Sequence, residues 1–327
     1  MTARVLLVEN DDRGYRAAFR DVALSELPPG DVLVRVRYSS LNYKDALAVT
    51  GAGKVVRRFP MVPGIDLVGE VVDAAAGFAG GQMVLCTGQG LGETRWGGYA
   101  THCRLPADHL IALPEGFDAF QAMAIGTAGF TAMRCVMALE RHGVAPGGRP
   151  LIVTGAGGGV GSLAVLIATR LGFAVTAVSG RREIEPWLRE LGASAFVERQ
   201  GLAASGPALA SERWCGGVDA VGGAILANLL AQVAHGGAIA CCGMAAAPEL
   251  PTTVFPFILR EVALLGIASG ATPPAQRAET WRRLARDLPR ERLAAVASVA
   301  GLSRVADLAR DVLAGRVRGR YVIDVAA

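Results

Sequence analysis

A glycine-rich turn, Gly155-Ala156-Gly157-Gly158-Gly159-Val160-Gly161, contains the residues whose spacing points most directly to chemistry. The turn fits Ala156-x-Gly158-x-x-Gly161, a variant of the dinucleotide fingerprint with Ala at its first position. Glycine suits such a turn because the backbone bends sharply, approaches a pyrophosphate closely and then packs a helix onto a strand. Phosphates would bind the free N–H groups at the helix N-terminus. The spacing predicts dinucleotide binding, with a plain glycine-rich turn as the alternative.

The end of the next predicted strand indicates which dinucleotide would bind. An NAD site carries Asp or Glu there to hold the ribose 2′-hydroxyl. This chain has Ser179-Gly180-Arg181-Arg182 instead, so the acid is absent. A hydroxyl with one or two guanidinium groups suits a 2′-phosphate, because Arg binds phosphate through two parallel hydrogen bonds. The segment predicts NADP(H); a solvated Arg pair at a strand end is the alternative.

Two common catalytic arrangements are missing from the sequence. None of the five tyrosines has a Lys four residues later, which excludes the short-chain dehydrogenase mechanism. The four histidines form no His-x-x-x-His pair and the six cysteines no Cys-x-x-Cys pair, so no metal site is predicted. Reduction of a plain ketone would then lack its usual Lewis acid. We therefore expect a substrate activated by conjugation, such as an enone, an enoyl thioester or a quinone.

The elements that position these residues follow two patterns. Up to about residue 120, short apolar or alternating runs separated by Gly and Pro predict a mostly β domain, with strands over 31–38, 67–72 and 83–86. A helical pattern then covers 121–140, and strands alternate with helices. The predicted strands of this part are 151–154, 173–179, 195–197, 218–221, 237–242 and 262–267. Such alternation is typical of a doubly wound parallel sheet. A final strand is predicted at 319–325.

Length and composition limit the class of protein. A chain of 327 residues is long enough for about two domains, and 52% hydrophobic with 19% charged residues is typical of a globular protein. A net charge of +4 is too small to predict a nucleic-acid surface. No secretory signal or membrane span is predicted, and we expect a cytoplasmic protein.

Several longer segments resemble the medium-chain dehydrogenase/reductase superfamily over essentially the whole chain. Zinc-dependent members carry Cys and Gly-His-Glu where this chain has Leu41-Asn42-Tyr43-Lys44-Asp45 and Pro63-Gly64-Ile65-Asp66. The sequence is therefore similar to the zinc-free, quinone-oxidoreductase-like branch. Within that branch it resembles the acrylyl-CoA reductase group, through SSLNYKDALAVTG (39–51), FPMVPGIDLVGEV (59–71), GGVGS (158–162), SGR (179–181) and LPTTVFPFILREV (250–262).

The resemblance implies an α/β protein with a Rossmann-type, doubly wound NADP-binding domain over 123–269. A mostly β, GroES-like catalytic domain would comprise 1–122 and 270–327. The implied activity is NADPH-dependent reduction of acryloyl-CoA to propionyl-CoA without a metal, by a homodimer. The implied NADPH contacts are Tyr43, Gly158, Gly159, Val160, Gly161, Ser179, Gly180, Arg181, Arg199, Met244, Ile258, Ser269 and Gly315.

Substrate contacts are expected in the first domain. Asn42 and Tyr43 are the candidate polar contacts to the substrate, with Asp45 orienting them. Candidate anchors for the phosphates of CoA are Lys54, Arg57 and Arg58 in a glycine-rich loop, and Arg320 near the last strand. A solvated basic loop is the alternative. An NADPH quinone reductase and a non-catalytic NADPH-binding protein are the two competing functions.

Overall fold

The computed structural model describes all residues from Met1 to Ala327, which form two compact units. The first unit comprises Met1–Thr127, Ser269–Ala285 and Val296–Ala327. The second comprises Ala128–Ala268 and Arg286–Ala295. Residues 286–295, which the sequence analysis places in the catalytic domain, thus cluster with the second unit.

The strands are β1 Thr2–Asp11, β2 Gly14–Ala23, β3 Val32–Leu41, β4 Asp66–Val71, β5 Met83–Thr87, β6 His102–Leu105, β7 Ile111–Ala112, β8 Leu151–Val153, β9 Val175–Ser179, β10 Ala195–Glu198, β11 Trp214–Asp219, β12 Val233–Cys241, β13 Ala263–Gly266, β14 Ala297–Gly301 and β15 Arg320–Asp324. The α-helices are α1 Tyr43–Thr50, α2 Ala119–His142, α3 Gly159–Arg170, α4 Glu185–Glu190, α5 Gly223–Gln232, α6 Phe255–Arg260, α7 Pro274–Asp287 and α8 Val305–Leu313.

The first unit is built on a seven-stranded sheet in the order β14-β15-β3-β4-β5-β7, with β6 also paired to β3. Strand β3 has the predicted alternation, because Val32, Val34 and Val36 are buried whereas Arg35 and Arg37 are exposed. This alternation places one face of β3 on the apolar core and the other in solvent. The mostly β character expected for this part of the chain is confirmed.

The second unit contains a six-stranded sheet in the order β10-β9-β8-β11-β12-β13, and all five pairings are parallel. Counted from β8, the strand order is 3-2-1-4-5-6, which is the doubly wound order of dinucleotide-binding folds. The direction of winding reverses between β8 and β11. The carboxyl ends of these two strands therefore border the crevice in which such folds bind their ligands.

Strands β11 and β12 begin earlier than predicted, and five strands, β1, β2, β6, β7 and β14, were not predicted. Strand β11 begins at Trp214 rather than residue 218, because Gly216 and Gly217 lie inside it and mask its apolar pattern. A Cβ on Gly216 would lie 2.6 Å from the Ala238 carbonyl oxygen, so only glycine fits there. Strand β12 likewise begins at Val233 rather than residue 237. The β1–β2 hairpin was not predicted.

Helix α2 is long and apolar enough to cross a membrane by length and composition alone. However, 83% of its most apolar window is buried inside the protein, as in the core helix of a globular fold. Its helical geometry is interrupted at Gly126, whose φ is 46°. The burial makes the helix weak evidence for a membrane span.

Candidate functional site

The glycine turn follows β8 directly and opens α3. Gly155 has a φ of 60°, a left-handed conformation that favours glycine. A Cβ on Gly161 would collide with the carbonyl oxygen of Gly155, so glycine is needed where the helix meets the turn. Gly158, by contrast, faces open space, with only the Gly155 oxygen within 4 Å of a built Cβ. The backbone can therefore be approached closely at Gly158.

The start of α3 offers donors to an anion. Gly158 is its N-cap residue, and Gly159, Val160 and Gly161 form its first turn. The N–H groups of a first helical turn have no partner within the helix, and the helix dipole is positive there. Since no side chain caps this terminus, the first turn fits a phosphate. Contact of these four residues with a pyrophosphate stays a prediction.

A second polar cluster lies at the end of β9. The Ser179 hydroxyl oxygen accepts a hydrogen bond of 3.1 Å from the Arg181 backbone N–H. The Arg199 guanidinium covers Gly180, because a Cβ there would lie 2.9 Å from the Arg199 Cζ. Arg181 extends over the glycine turn, with Nη2 3.1 Å from a Cβ built on Gly157. We name Ser179, Arg181 and Arg199 the phosphate cluster.

Arg182, the second Arg of the predicted pair, is committed elsewhere. Its Nη1 lies 2.7 Å from a carboxylate oxygen of Glu198 on the neighbouring strand β10. Arg199, which follows β10, instead joins Arg181 at this edge. The cluster therefore contains two guanidinium groups and a hydroxyl with no acid among them, as a 2′-phosphate would require.

Gly157 also lies against Arg181 and is absent from the predicted cofactor contacts. A Cβ at this position would lie 2.5 Å from the Ile184 Cδ1 and 3.1 Å from an Arg181 nitrogen. Glycine here thus leaves room for the side chains that form the phosphate cluster. Its place inside a run of three glycines could have identified it, but the fingerprint spacing does not include it.

The other predicted cofactor contacts lie in loops and in helices α1 and α6. Met244 follows β12 and Ile258 lies in α6, and both side chains are about two-thirds exposed, at 69% and 67%. Tyr43, Ser269 and Gly315 belong to the first unit. Tyr43 begins α1 with its side chain 49% exposed, and Gly315 follows α8 with a φ of 69°. Contact of these five residues with the cofactor stays a prediction.

In the first unit, Asp45 ties the N-terminus of α1 to the segment before β4. One carboxylate oxygen of Asp45 accepts hydrogen bonds of 2.9 Å from both the backbone N–H and the side-chain amide of Asn42. The other accepts from the N–H groups of Gly64 and Ile65, at 3.1 and 2.8 Å. Burial and the charge of Asp66 raise the pKa of Asp45 to about 7.

Asp66 is the second buried carboxylate of this unit. It accepts hydrogen bonds from the Ser40 hydroxyl at 2.6 Å and the Asn42 amide at 2.9 Å. The Thr127 backbone N–H at 2.9 Å and hydroxyl at 2.6 Å also donate to it. A Cβ on Gly126 would lie 2.6 Å from Asp66, so the interruption of α2 at this glycine makes room for the carboxylate.

Arg320 supplies the positive charge of this site. Its Nη2 lies 3.8 Å from Asp66 and donates to the Ser40 hydroxyl oxygen at 2.9 Å. Its Nη1 donates to the Asn42 side-chain oxygen at 3.2 Å. Burial lowers the pKa of Arg320, while the charges of Asp66 and Asp45 oppose that shift. We name Asp45, Asp66 and Arg320, with Asn42 between them, the buried charge cluster.

Two site predictions need correction. Arg320 is only 3% exposed and bound within the buried charge cluster, so it cannot anchor CoA at a surface. The Asn42 amide nitrogen has three acceptors, Ser40, Asp45 and Asp66, for its two hydrogens. Since both hydrogens are used, Asn42 holds the start of α1 in place and has none left for a substrate. Tyr43, next to it, keeps an exposed side chain.

The buried charge cluster does not fit a zinc ion. No group of three or more His, Cys, Asp or Glu side chains is placed to hold a metal. Asp45 and Asp66 are instead surrounded by N–H and O–H donors and by the Arg320 guanidinium, which would have to leave before either could bind a cation. Zinc in proteins also favours Cys and His ligands, and this cluster contains neither.

Lys54, Arg57 and Arg58 lie in the loop after α1, and all three are exposed. The backbone N–H of Arg57 donates to the carbonyl oxygen of Glu93 at 2.8 Å, which fixes the path of this loop. The Glu93 carboxylate is paired with Lys44 at 2.8 Å. The loop therefore presents three basic side chains to solvent, as an anchor for phosphates would.

Comparison with known families identifies the superfamily of the chain. Residues 28–115 match the alcohol dehydrogenase GroES-like domain, and residues 159–287 match the zinc-binding dehydrogenase domain. A full-length relative decides the matter: the acrylyl-CoA reductase AcuI of Ruegeria pomeroyi is 48% identical, over 98% of this chain and 99% of that protein. The chain belongs to the medium-chain dehydrogenase/reductase superfamily. The predicted resemblance to its acrylyl-CoA reductase group is confirmed.

Solved structures of this superfamily agree with that assignment. The YhdH oxidoreductase of Salmonella enterica, crystallised with NADP, has a TM-score of 0.95 at 47% identity. The YhdH protein of Escherichia coli K-12, crystallised with NADPH, has a TM-score of 0.95 at 48% identity. Each comparison covers 98% of this chain and 99% of the other. The predicted fold class, a doubly wound nucleotide-binding sheet with a GroES-like domain, is confirmed.

Proposed function

We propose that the protein is an NADPH-dependent reductase that converts acryloyl-CoA to propionyl-CoA. The observation that carries the proposal is the phosphate cluster, which lacks an acid, in a chain 48% identical to an acrylyl-CoA reductase over almost its full length. The cluster accounts for the choice of NADPH over NADH. The relative supplies the substrate class, an α,β-unsaturated CoA thioester.

The second unit provides the groups that would hold the cofactor. The first turn of α3 offers backbone N–H groups and the positive end of a helix dipole to a pyrophosphate. Arg181 and Arg199 offer paired donors to a 2′-phosphate, and the Ser179 hydroxyl lies beside them. When bound, NADPH supplies the hydride that adds to the β-carbon of the acceptor.

The acceptor requires stabilisation of charge rather than a strong acid. As hydride adds to the β-carbon, the electron pair of the C=C bond shifts toward the thioester oxygen, and a proton then adds to the α-carbon. Donors near the oxygen lower this barrier. We assign that role to the exposed Tyr43 hydroxyl, with Asn42 and Asp45 positioning the start of α1. Water can protonate the α-carbon, so no further acid is required.

The basic loop is our candidate anchor for CoA. CoA carries a 3′-phosphoadenosine diphosphate, and Lys54, Arg57 and Arg58 present three cations close together in one exposed loop. Exposed charges of this kind mainly improve encounter and weak binding, and their effect falls with salt. Replacing all three with Ala should raise the KM for acryloyl-CoA several-fold without changing the KM for NADPH. An unchanged KM would identify the loop as a solvated surface.

We further propose that the protein works as a cytoplasmic homodimer. Strand β13 forms one edge of the six-stranded sheet, and an uncovered edge can pair with the same edge of a second copy. Light scattering during size-exclusion chromatography tests this: the proposal requires a particle of twice the 33.8 kDa chain mass. A monomer at micromolar concentration would remove the dimer from the proposal.

The decisive experiment measures initial rates of NADPH oxidation with acryloyl-CoA, beside NADH and beside a simple quinone. We expect turnover of the thioester with NADPH and little with NADH. Arg181→Gln should raise the KM for NADPH at least tenfold, whereas Arg182→Gln, the matched control paired with Glu198, should change it little. Turnover of the quinone alone would replace the proposal with a quinone reductase. Binding of NADPH without turnover of either acceptor would indicate a non-catalytic protein.

A further inference from the structure

A third buried carboxylate, Asp219, lies at the carboxyl end of β11 and is fully buried. One of its oxygens accepts a hydrogen bond of 2.6 Å from the Thr154 hydroxyl. The other accepts from the backbone N–H groups of Gly222 at 2.8 Å and Val221 at 3.3 Å. Asp219 therefore holds the loop that follows its own strand and contacts the neighbouring strand β8.

The contact to Thr154 links Asp219 with the glycine turn. Thr154 is the residue between β8 and Gly155, and its oxygen also accepts a hydrogen bond of 3.2 Å from the Ala220 N–H. A Cβ on Gly155 would lie within 3.6 Å of the Ala220 side chain, so the two loops are in van der Waals proximity. The end of β8 and the loop after β11 are thus joined by hydrogen bonds in both directions.

Asp219 also contacts the loop that follows β12. Its carbonyl oxygen accepts from the Cys242 N–H at 2.8 Å, and the Cys241 thiol lies 3.8 Å from its carboxylate. The same loop is held again by the Ala246 N–H, which donates to the Val221 carbonyl at 2.9 Å. The ends of three neighbouring strands, β8, β11 and β12, therefore meet at Asp219. The residues after β8 and β11 bind its carboxylate, and the loop after β12 binds its carbonyl oxygen.

The chemistry of these contacts favours a carboxylate over an amide. Every partner of the Asp219 side chain is a donor: a hydroxyl, two backbone N–H groups and a thiol. An ionised carboxylate accepts at both oxygens, whereas an Asn would direct its NH₂ group against a donor. Burial raises the pKa of Asp219, and the hydrogen bonds from Thr154 and Gly222 oppose that rise.

The position of Asp219 in the sheet indicates its role. It joins β8 to β11, the two strands between which the winding reverses and where doubly wound folds bind dinucleotides. We infer that Asp219 is a positioning residue for the dinucleotide, which holds the glycine turn and the loops 220–223 and 242–247 in their binding arrangement. The inference rests on the proposed binding of NADPH. It does not depend on which acceptor is reduced.

The phosphate cluster makes a sharp test possible, because it lies at the ends of β9 and β10 and shares no hydrogen bond with Asp219. Asp219→Asn and Thr154→Val are compared with the wild type. Thr169→Val is the matched control, since it removes a threonine hydroxyl bonded to the Gly192 carbonyl at the far end of α3. Intrinsic fluorescence gives the Kd for NADPH, and calorimetry gives the Kd for adenosine 2′-monophosphate, which carries the 2′-phosphate but no pyrophosphate.

We expect Asp219→Asn to raise the Kd for NADPH at least tenfold, and Thr154→Val to raise it three- to tenfold. The Kd for adenosine 2′-monophosphate should change less than twofold in both, and Thr169→Val should change neither constant. With acryloyl-CoA, the KM for NADPH should rise while kcat at saturating NADPH falls less than threefold. Thr154→Val decides the matter alone if Asp219→Asn does not fold.

Three results would overturn the inference. An unchanged Kd for NADPH in the folded variants would do so directly. An equal loss of affinity for both ligands would show general loosening of the second unit. The same loss of NADPH affinity in Thr169→Val would show that removing any hydrogen-bonded threonine hydroxyl weakens binding. A wild-type protein that binds NADPH but does not reduce acryloyl-CoA would refute the proposed substrate and leave this inference standing, whereas failure to bind NADPH would refute both.

Discussion

The two units stabilise their buried carboxylates in different ways. In the first unit, the carboxylates of Asp45 and Asp66 lie close enough for one to raise the pKa of the other, and both are fully buried. Arg320 is buried with them, 3.8 Å from Asp66. In the second unit, Asp219 is alone and has neutral donors around it. One site contains a counter-charge and the other does not.

The difference follows from the number of charges brought together. Two carboxylates in one low-dielectric site repel each other, so a cation is needed to keep the site stable. A single carboxylate can be stabilised by N–H and O–H donors alone, because burying one charge costs less desolvation free energy than burying three. The first arrangement fixes β3, β4, β15 and the start of α1, whereas the second fixes loops. Removing the counter-charge from the first site should therefore cost far more stability than removing one neutral donor from either site.

The largest effect should come from Arg320→Met, which removes the counter-charge and keeps much of the side-chain volume. Breaking a buried ion pair by deleting one partner costs about 3–5 kcal/mol, because the remaining charge stays uncompensated. Urea unfolding measures the change in the free energy of unfolding. A loss below about 1 kcal/mol, within the range of surface ion pairs, would show that Arg320 does not compensate the two carboxylates.

Asp45 should make stability depend on pH. Its pKa is raised to about 7 in the folded protein, from about 4 in the unfolded chain. The folded state therefore binds more protons between these values, and stability falls as pH rises from about 4 to about 7, by up to about 1.4 kcal/mol per pH unit. Above pH 7 the contribution is lost.

This pH dependence is measured as the difference in unfolding free energy between the wild type and Asp45→Asn at several pH values from 4.5 to 8. The wild type should lose stability relative to the variant as pH rises, and the difference should level off above about pH 7. A difference that is constant with pH, or that grows in the opposite direction, would contradict the raised pKa. Replacing a carboxylate with an amide also changes stability by an amount that does not vary with pH, and this amount does not affect the pH dependence of the difference.

A matched pair of substitutions compares the two carboxylate sites directly. Thr154→Val removes a hydroxyl donor from Asp219, and it also leaves the Ala220 N–H without its acceptor. Thr127→Val removes a hydroxyl donor from Asp66, but the Thr127 backbone N–H still donates. We expect the free energy of unfolding to fall by about 2 kcal/mol in Thr154→Val and by about 1 kcal/mol in Thr127→Val. The difference arises because a buried N–H left without an acceptor adds to the cost. Thermal and urea unfolding measure both changes. If the two variants lose equal stability, the unpaired Ala220 N–H adds no measurable cost.

The smallest effect should come from an exposed cation on the same sheet. Arg35 on β3 pairs with Glu70 on β4, and both side chains are exposed, at 63% and 40%. Such pairs contribute between about 0 and 1 kcal/mol, since water and salt screen them. Arg35→Met should therefore change the free energy of unfolding by less than about 1 kcal/mol, and it serves as the control for Arg320→Met. A loss as large as that of Arg320→Met would show that burial is not the deciding factor.

Local patterns were sufficient for much of the second unit. The alternation of strands and helices predicted the doubly wound sheet, and the strand order confirms it. The glycine turn and the Ser179–Arg181 segment lie at strand ends, where the sequence placed them. Errors arose where glycine inside a strand served close packing, as at Gly216 and Gly217 in β11. There the residue type reflects a neighbouring strand that the sequence does not identify.

Sequence reasoning was weaker for the site in the first unit. It selected Asn42, Tyr43 and Asp45 from a motif, and it set Arg320 apart as a surface anchor. The structure places Arg320 beside Asn42 although they are 278 positions apart. Nothing in the sequence distinguishes Asp219 from the other polar residues that interrupt the apolar stretch 218–244. Its burial and its four donors depend on three strands that are distant along the chain.

By itself, the sequence determined the features that depend on neighbours along the chain: the glycine spacing, the absence of an acid after β9, the alternation in β3 and the superfamily. These features are local because backbone conformation and side-chain periodicity act over a few residues. Only the tertiary structure decided which charges share a buried site, as for Asp66 with Arg320 and Asp219 with Thr154. The reason is physical: hydrogen bonds and burial depend on distance in space, which the topology of the sheets sets.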